Sequence, residues 1–172
     1  MDFVTPSYYL YFLPLVVVLT FGLASRQRRR QILILLVMSY VFFWLASGWH
    51  LILLLVSTCI DWTAGRKMHE TDNAGRRKRW LRISLVTNLS LLGVFKYLDF
   101  VIESWNLVSL RLTDGLEVGA LGLALPVGIS FYTFQTMSYT IDIYRQKQKP
   151  YDSFLDFACY AAFFPQLVAG PI

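Results

Sequence analysis

The side chains best suited to chemistry lie between Leu125 and Arg145, in the run Leu-Pro-Val-Gly-Ile-Ser-Phe-Tyr-Thr-Phe-Gln-Thr-Met-Ser-Tyr-Thr-Ile-Asp-Ile-Tyr-Arg. At about 100° per residue, Ser130, Thr133, Thr136 and Thr140 share one side of a helix, and Gln135, Ser138 and Asp142 share another. Hydroxyl, amide and carboxyl groups can hold a substrate by hydrogen bonds, or they can bond within and between helices. Two polar stripes separated by aromatic residues predict a helix that faces protein or an aqueous tunnel, because unpaired polar groups are costly in lipid. Pro126 and Gly128 add a break at the start of this segment, which lipid tolerates only where the backbone is buried or lines a cavity. Asp142, close to Arg145, reads as half of an interfacial ion pair.

Other polar residues carry weaker signals. Ser84, Thr87 and Asn88 stand at helical spacing with Leu91, and a helix-packing contact is the default role for the costly Asn88. Lys96 suits a snorkelling position, its stem in apolar surroundings and its ammonium at an interface. Asp61 and Arg66 bracket the end of an apolar run and read as boundary charges. His50 beside Trp49 and His69 in a basic stretch read as interfacial or surface residues, since neither has an HxxxH partner, a neighbouring cysteine or a triad acid. No phosphate-binding glycine loop and no GxSxG elbow occurs. Cys59 and Cys159 lie in or beside apolar runs and read as small packing residues, without the spacing of a metal site or disulfide framework. The residues alone therefore assign no catalytic, substrate-binding or metal-ligating side chain, and no cofactor.

What must position these groups follows from composition. Of 172 residues 56% are hydrophobic and 16% aromatic, with a mean hydropathy of +0.49, more than one small soluble core requires. The hydrophobicity falls into runs that predict an all-α, multi-span membrane bundle, one domain over 1–172, with approximate spans 8–24, 32–46, 49–63, 83–108, 121–144 and 154–172. The third is short and needs flanking residues to complete it; Lys96, Asp99 and Glu103 interrupt the fourth and make its second half interfacial. Residues 109–120, with Gly115 and Gly119, read as a loop.

Charge sets the orientation. Of the sixteen basic residues, fourteen fall in the stretches after the first, third and fifth runs; only Lys96 and Arg111 lie elsewhere. These basic stretches read as loops, and by the preference of loop lysines and arginines for the cytoplasm, loops 26–31, 64–82 and 145–153 are expected to be cytoplasmic with the N-terminus outside. The net charge of +5 is thus a topology signal, and the alternation of basic and apolar stretches excludes a nucleic-acid binder. The first run has no basic residue before it, so it lacks the start of a secretory signal.

Several of these stretches resemble a known family. Leu125-Pro-Val-Gly-Ile-Ser-Phe-Tyr-Thr-Phe-Gln135 with Ser138-Tyr-Thr-Ile-Asp-Ile-Tyr-Arg145 is similar to the signature of bacterial membrane-bound O-acyltransferases, in the branch that acetylates alginate. Asp156-Phe157, Phe163-Phe-Pro-Gln-Leu-Val-Ala-Gly-Pro-Ile172, Phe95-Lys-Tyr-Leu-Asp-Phe100 and Ser39-Tyr-Val-Phe-Phe-Trp44 resemble further segments of that branch. The resemblance covers essentially the whole chain and implies the N-terminal part of a longer fold. It implies transfer of an acyl group, acetyl above all, from a cytoplasmic thioester such as acetyl-CoA to hydroxyls of an extracytoplasmic polysaccharide such as alginate.

The implied setting is the bacterial inner membrane, with the lipid bilayer, the acyl donor and extracytoplasmic acetyltransferases as partners. The family's active site lies in a tunnel holding a buried histidine, in a context that neither His50 nor His69 matches and downstream of the Ala-Gly-Pro-Ile172 stretch. These residues alone are therefore expected to be inactive. A non-catalytic membrane scaffold of a polysaccharide-modifying complex is the second reading. A transporter is the third, weakened by the absence of a second half with matching breaks.

Overall fold

In the computed structural model, residues 8–23, 27–112, 119 and 125–169 are described, and all regular structure among them is helical. α1 (Leu13–Val17) is flanked by π-helical turns Tyr8–Phe12 and Val18–Leu23. α2 (Arg28–Ser47) leads through a 3₁₀ turn, Gly48–His50, into α3 (Leu51–His69). α4 (Ala74–Leu92) continues through a π turn, Gly93–Tyr97, into α5 (Leu98–Leu112). α6 (Ile129–Tyr144), α7 (Phe154–Ala162) and α8 (Phe164–Ala169) follow. Arg26, residues 113–118, the first residues of the 121–144 run and the closing Gly170-Pro171-Ile172 lie outside the described residues, as does the Arg111 side chain.

Helix covers ground that was expected to be loop. The 64–82 stretch is helical except for the link from Glu70 to Asn73, because arginine and lysine are good helix formers. Arg66, Lys67 and His69 also sit in the last turn of α3, where cations meet the negative end of the helix dipole. α4 begins with basic residues at the unfavourable end, and an N-cap offsets this: the Asn73 side chain accepts from the Arg76 N–H at 3.0 Å, a bond worth about 1 kcal/mol. Lys96, Asp99 and Glu103 do not interrupt the fourth run either; the chain absorbs them in the π turn and on partly or fully exposed positions of α5. The 154–172 run, in contrast, is broken at Phe163 (ψ 105°), since Pro165 has no N–H and suits the first turn of a new helix.

Gly48 (φ 58°) turns the 42-residue run Arg28–His69 back on itself. Its two ends converge: Arg28 lines a cavity with Tyr151 and Asp156, and Met68 lines another with Lys147 and Lys149. All three basic stretches therefore gather at one end of the bundle. α3, α4 and α6 pack together as a triplet, and α2 packs against α7. Leu36, Phe43, Leu54, Ile129, Tyr132 and Ala158 form the main core, while Phe12, Phe42 and Phe164 meet ring against ring at 5.4–5.7 Å.

The outside is apolar too. Phe100, Trp105 and Leu107 on α5 are 60–67% exposed, a face unsuited to water. The runs Arg28–His69 and Ala74–Ser109 are each long and apolar enough to cross a membrane.

Two close approaches differ in how they tolerate a methyl group. Gly128 has φ 71°, and a Cβ there would sit 2.5 Å from the Leu167 carbonyl oxygen, which is backbone. At Gly65 a Cβ would meet only side chains, the tip of Ile143 at 2.9 Å and the buried ring of Tyr139 at 3.1 Å, which must give by a few tenths of an ångström. Gly128→Ala should lose on the order of 2–4 kcal/mol. Gly65→Ala should lose less, about 1–2 kcal/mol, because side chains yield where backbone cannot and alanine favours the helix. Thermal unfolding of both variants in detergent reads the difference, and equal losses would contradict it.

Candidate functional site

The polar residues of α3, α4 and α6 converge on one carboxylate. Asp61, expected at a boundary, is instead fully buried between the three helices. Ser84 Oγ donates to its Oδ1 at 2.6 Å, and Asn88 Nδ2 lies 2.9 Å from both carboxylate oxygens. Asn88 Nδ2 has two protons and three acceptors in reach, the third being the Ser84 carbonyl at 3.0 Å; one proton is therefore shared between the carboxylate oxygens. Ser57 Oγ has a single proton and gives it to Asn88 Oδ1 at 2.6 Å, so its 3.4 Å approach to Asp61 Oδ2 is the weaker contact.

The network extends outward from there. The Thr140 hydroxyl lies 3.1 Å from Ser84 Oγ, and Thr136 also turns its hydroxyl toward Asp61. The Ser84 hydroxyl and an Asn88 amide proton thus point at the acceptor-only carboxylate, while Ser57 gives its proton to Asn88 and Thr140 also has the Met137 carbonyl at 2.9 Å. Among the described residues Asp61 has no ion-pair partner. Neutral donors alone offset the cost of burying it.

Local structure makes this convergence possible. Ser57, Asp61 and Gly65 stand one turn apart on α3, as do Ser84 and Asn88 on α4. Gly65 has no side chain, which lets Tyr139 and Ile143 of α6 close in. Thr133, Thr136 and Thr140 are buried, so the first stripe of α6 faces protein. On the second stripe Gln135 and Asp142 are half-buried and Ser138 is exposed. Gln135 Nε2 donates to the Tyr160 carbonyl at 3.1 Å and tethers α6 to α7.

At the broken start of α6, Gly128 is left-handed, Pro126 is buried, and the Val127 N–H donates to Ser47 Oγ at 2.9 Å. Lys96 does more than reach an interface: its Nζ donates to Ser130 Oγ at 3.1 Å. At the other end, Arg77 Nη2 donates to the Tyr144 carbonyl at 2.7 Å and the Ile143 carbonyl at 3.3 Å, closing the helix.

Several expectations need correction. His50 is buried: its Nδ1 lies 2.7 Å from the Ser47 carbonyl, its ring stacks on Trp49 at 4.1 Å, and its Nε2 has no partner. The aromatic cluster at the α2–α3 turn wraps around it, which its neighbours in sequence do not reveal. His69 is exposed. Cys59 is exposed on α3 rather than packed, while Cys159 is half-buried. Asp142 and Arg145 form no ion pair; the strong helix-end contact is that of Arg77. Glu70 pairs with Arg66 at 3.7 Å and with Lys67 at 3.0 Å. Hydrogen bonding from Lys67 holds the Glu70 carboxyl below its usual range, but these groups are exposed and contribute little to stability.

Fold and site define an all-helical protein with two apolar runs of membrane-crossing length, organised around a buried carboxylate. The comparisons with known proteins narrow this. The chain is 37% identical over 153 residues to "Probable alginate O-acetylase AlgI" of Pseudomonas aeruginosa, which covers 86% of this chain and 28% of that protein. It is 35% identical over 163 residues to the protein of the same name from Azotobacter vinelandii, covering 94% of this chain and 32% of the relative. It is 34% identical over 164 residues to the "Peptidoglycan O-acetyltransferase" of Helicobacter pylori, covering 80% of this chain and 30% of the relative. No protein-family model and no solved structure matches. The chain belongs to the membrane-bound O-acyltransferase family, in its alginate O-acetylase-like branch, and corresponds to the N-terminal part of those relatives. It spans less than a third of their length, 28–32% for these three.

If Asp61 and Asn88 act as a pair, their substitutions must be non-additive. Asn88→Asp replaces the carboxylate's main donor with a second acidic group and should cost about 1–3 kcal/mol or more. Asp61→Asn places amide against amide and should cost a similar amount. The exchange Asp61→Asn with Asn88→Asp restores one carboxylate facing one amide. It should recover part of the loss, with a coupling of about 0.5–3 kcal/mol in a double-mutant cycle of detergent unfolding. Simple additivity would show that the two residues do not work together.

Proposed function

We propose that the chain forms part of a polysaccharide O-acetylase of the bacterial inner membrane. The observation that carries this reading is the 34–38% identity to proteins named for O-acetylation of two different glycans, alginate and peptidoglycan. The shared chemistry is acyl transfer to a sugar hydroxyl. The thioester C–S bond breaks, an ester C–O bond forms, and the hydroxyl proton leaves to a base while the thiol departs.

In this reading the chain crosses the membrane several times with its N-terminus outside. Its basic end lies in the cytoplasm with the thioester donor, and the acceptor polysaccharide lies beyond the opposite face. The clustering of the three basic stretches at one end supports that orientation. The buried network of α3, α4 and α6 serves as the rigid wall of a tunnel completed by other parts of a longer polypeptide, and the catalytic base comes from those parts.

Two experiments test this. Single cysteines at Arg28, Lys78 and Leu112, with Cys59→Ser and Cys159→Ser as background, are probed with an impermeant thiol reagent on intact cells. Only the position at Leu112 should label, and labelling at Lys78 would overturn the orientation.

In the second, the chain replaces the matching N-terminal part of the Pseudomonas aeruginosa relative, in a strain lacking its own alginate O-acetylase. A chimera present in the membrane fraction should restore acetyl esters on alginate, and the chain alone should not. A well-inserted chimera without ester formation would overturn the acetylase reading. Ester formation by the chain alone would overturn the placement of the base elsewhere.

A further inference from the structure

Beyond the buried network, a second cavity lies at the basic end, where the α3–α4 link meets the chain that leaves α6. Its volume is about 460 Å³, and its lining includes His69, Asp72, Arg77, Lys147, Gln148 and Lys149. Three basic side chains and one acidic side chain thus line the same cavity. None of the three is in an ion pair among the described residues, and the nearby Glu70 is already engaged by Lys67 and Arg66.

The walls are held in place before any ligand arrives. Arg77 is pinned by its Nη2 bonds to the carbonyls of Ile143 and Tyr144, with its guanidinium 5.7 Å from the centre of the Tyr144 ring. That leaves its Nε buried without an acceptor. A buried N–H without a partner is a standing cost, so the position of the guanidinium is set by its carbonyl bonds and the Tyr144 ring rather than by full satisfaction of its donors.

The exit from α6 is equally fixed. The Lys147 N–H donates to the Asp142 carbonyl at 2.9 Å and the Gln146 N–H to the Ile143 carbonyl at 3.0 Å, the paired bonds of a Schellman cap. Glycine normally occupies the left-handed position of that cap, yet here it is Gln146, with φ 59°. Gln148 Nε2 adds a bond to the Tyr139 carbonyl at 3.3 Å. A strained turn of this kind persists where its surroundings over-determine it, and strain of this sort gathers at ligand clamps. The turn carries Lys147 and Lys149 into the wall of the cavity that Arg77 also lines.

We propose that this cavity is a phosphate-binding site. Arg77 offers a fixed N–H to one oxygen, and Lys147 and Lys149 supply mobile ammonium groups to the others, a division of labour suited to a tetrahedral oxyanion. The phosphate belongs either to the headgroup of an anionic lipid, for which basic pockets at helix ends are suited, or to a soluble phosphate. The site is independent of the acyl-transfer reading, since it uses none of the residues of the buried network.

The test uses the full chain in a nonionic detergent, with two probes: inorganic phosphate and short-chain phosphatidylglycerol, the latter set against short-chain phosphatidylcholine. Binding is followed by titration calorimetry and thermal shift. At least one probe should bind saturably below about 1 mM, a level that about 4 kcal/mol of binding energy supports. Preference for phosphatidylglycerol over both inorganic phosphate and phosphatidylcholine identifies a lipid headgroup; equal binding of inorganic phosphate identifies a soluble source.

The Lys147→Ala/Lys149→Ala variant should bind about tenfold more weakly. Arg77→Lys, which keeps the charge and loses the fixed fork, should also weaken binding, and Asp72→Asn should tighten it. Lys78→Ala removes one charge outside the cavity and should change nothing. The proposal is overturned if neither probe saturates, if the double lysine variant binds as the parent does, or if Lys78→Ala weakens binding equally.

Discussion

One buried carboxylate sets the terms for the helices around it. Asp61 has no counter-ion among the described residues, so its burial is tolerable only while Ser84 and Asn88 point their protons at it. That requirement fixes the register of α4 against α3. Rotating α4 by one residue would swing both donors by about 100° and leave the charge bare. Hydrophobic contacts alone would not be so exacting, because leucine and valine are tolerant of small slides. The α3–α4 pair therefore gains specificity from a group that by itself opposes burial. α6 then docks through Thr136 and Thr140 on the polar side and through the Gly65 groove beside it.

With the middle of α6 fixed in this way, its ends need separate anchors, and each uses backbone chemistry. At the broken end the Ser47 hydroxyl accepts the Val127 N–H, and Gly128 lets the chain pass against the carbonyl of Leu167. At the basic end the carbonyls of Ile143 and Tyr144 are met by Arg77, a cation placed at the negative end of the helix dipole. Both anchors come from residues far away in sequence. A helix held at three levels in this manner can keep its polar stripe oriented even where its other face meets lipid or further chain.

How much of this could be read from the sequence depends on the range of the forces involved. The stripe of Thr133, Thr136 and Thr140 follows from helical spacing, and it is buried as that spacing implied. The apolar runs likewise overlap helices, since their composition is a local property. Asp61 was misread because an acid near the end of an apolar run, five residues before Arg66, looks like a boundary charge. Only the meeting of α3 with α4, 23 residues away at Ser84, reveals its partners. The one available clue was spacing: Ser57, Asp61 and Gly65 form a polar and small stripe that a lipid-facing helix would not carry. His50 was missed for the same reason, as Phe95 closes over it from another element. The basic stretch was taken for a loop because charge suggested solvent, although charge and helix are compatible at a helix end.

The completeness of the buried network bears on what it can do. Acyl transfer to a hydroxyl needs a base within hydrogen-bond reach of the proton it takes. Asp61 already accepts from Ser84 and Asn88, and those donors are in turn oriented by Thr140 and Ser57. Offering any of them to a substrate would leave a buried charge short of a donor, a loss larger than one ordinary hydrogen bond returns. A carboxylate whose oxygens are already met by these donors is suited to holding helices still, not to exchanging protons with a guest. Buried groups without a partner lie outside this network: His50 Nε2 and Arg77 Nε near the helix ends, Trp62 Nε1 on α3, and Tyr132 Oη, Thr133 Oγ1 and Gln135 Oε1 along α6. The architecture thus separates a satisfied carboxylate, which fixes the register of α3 and α4, from neighbouring positions on α6 and at the helix ends where hydrogen-bonding capacity remains open.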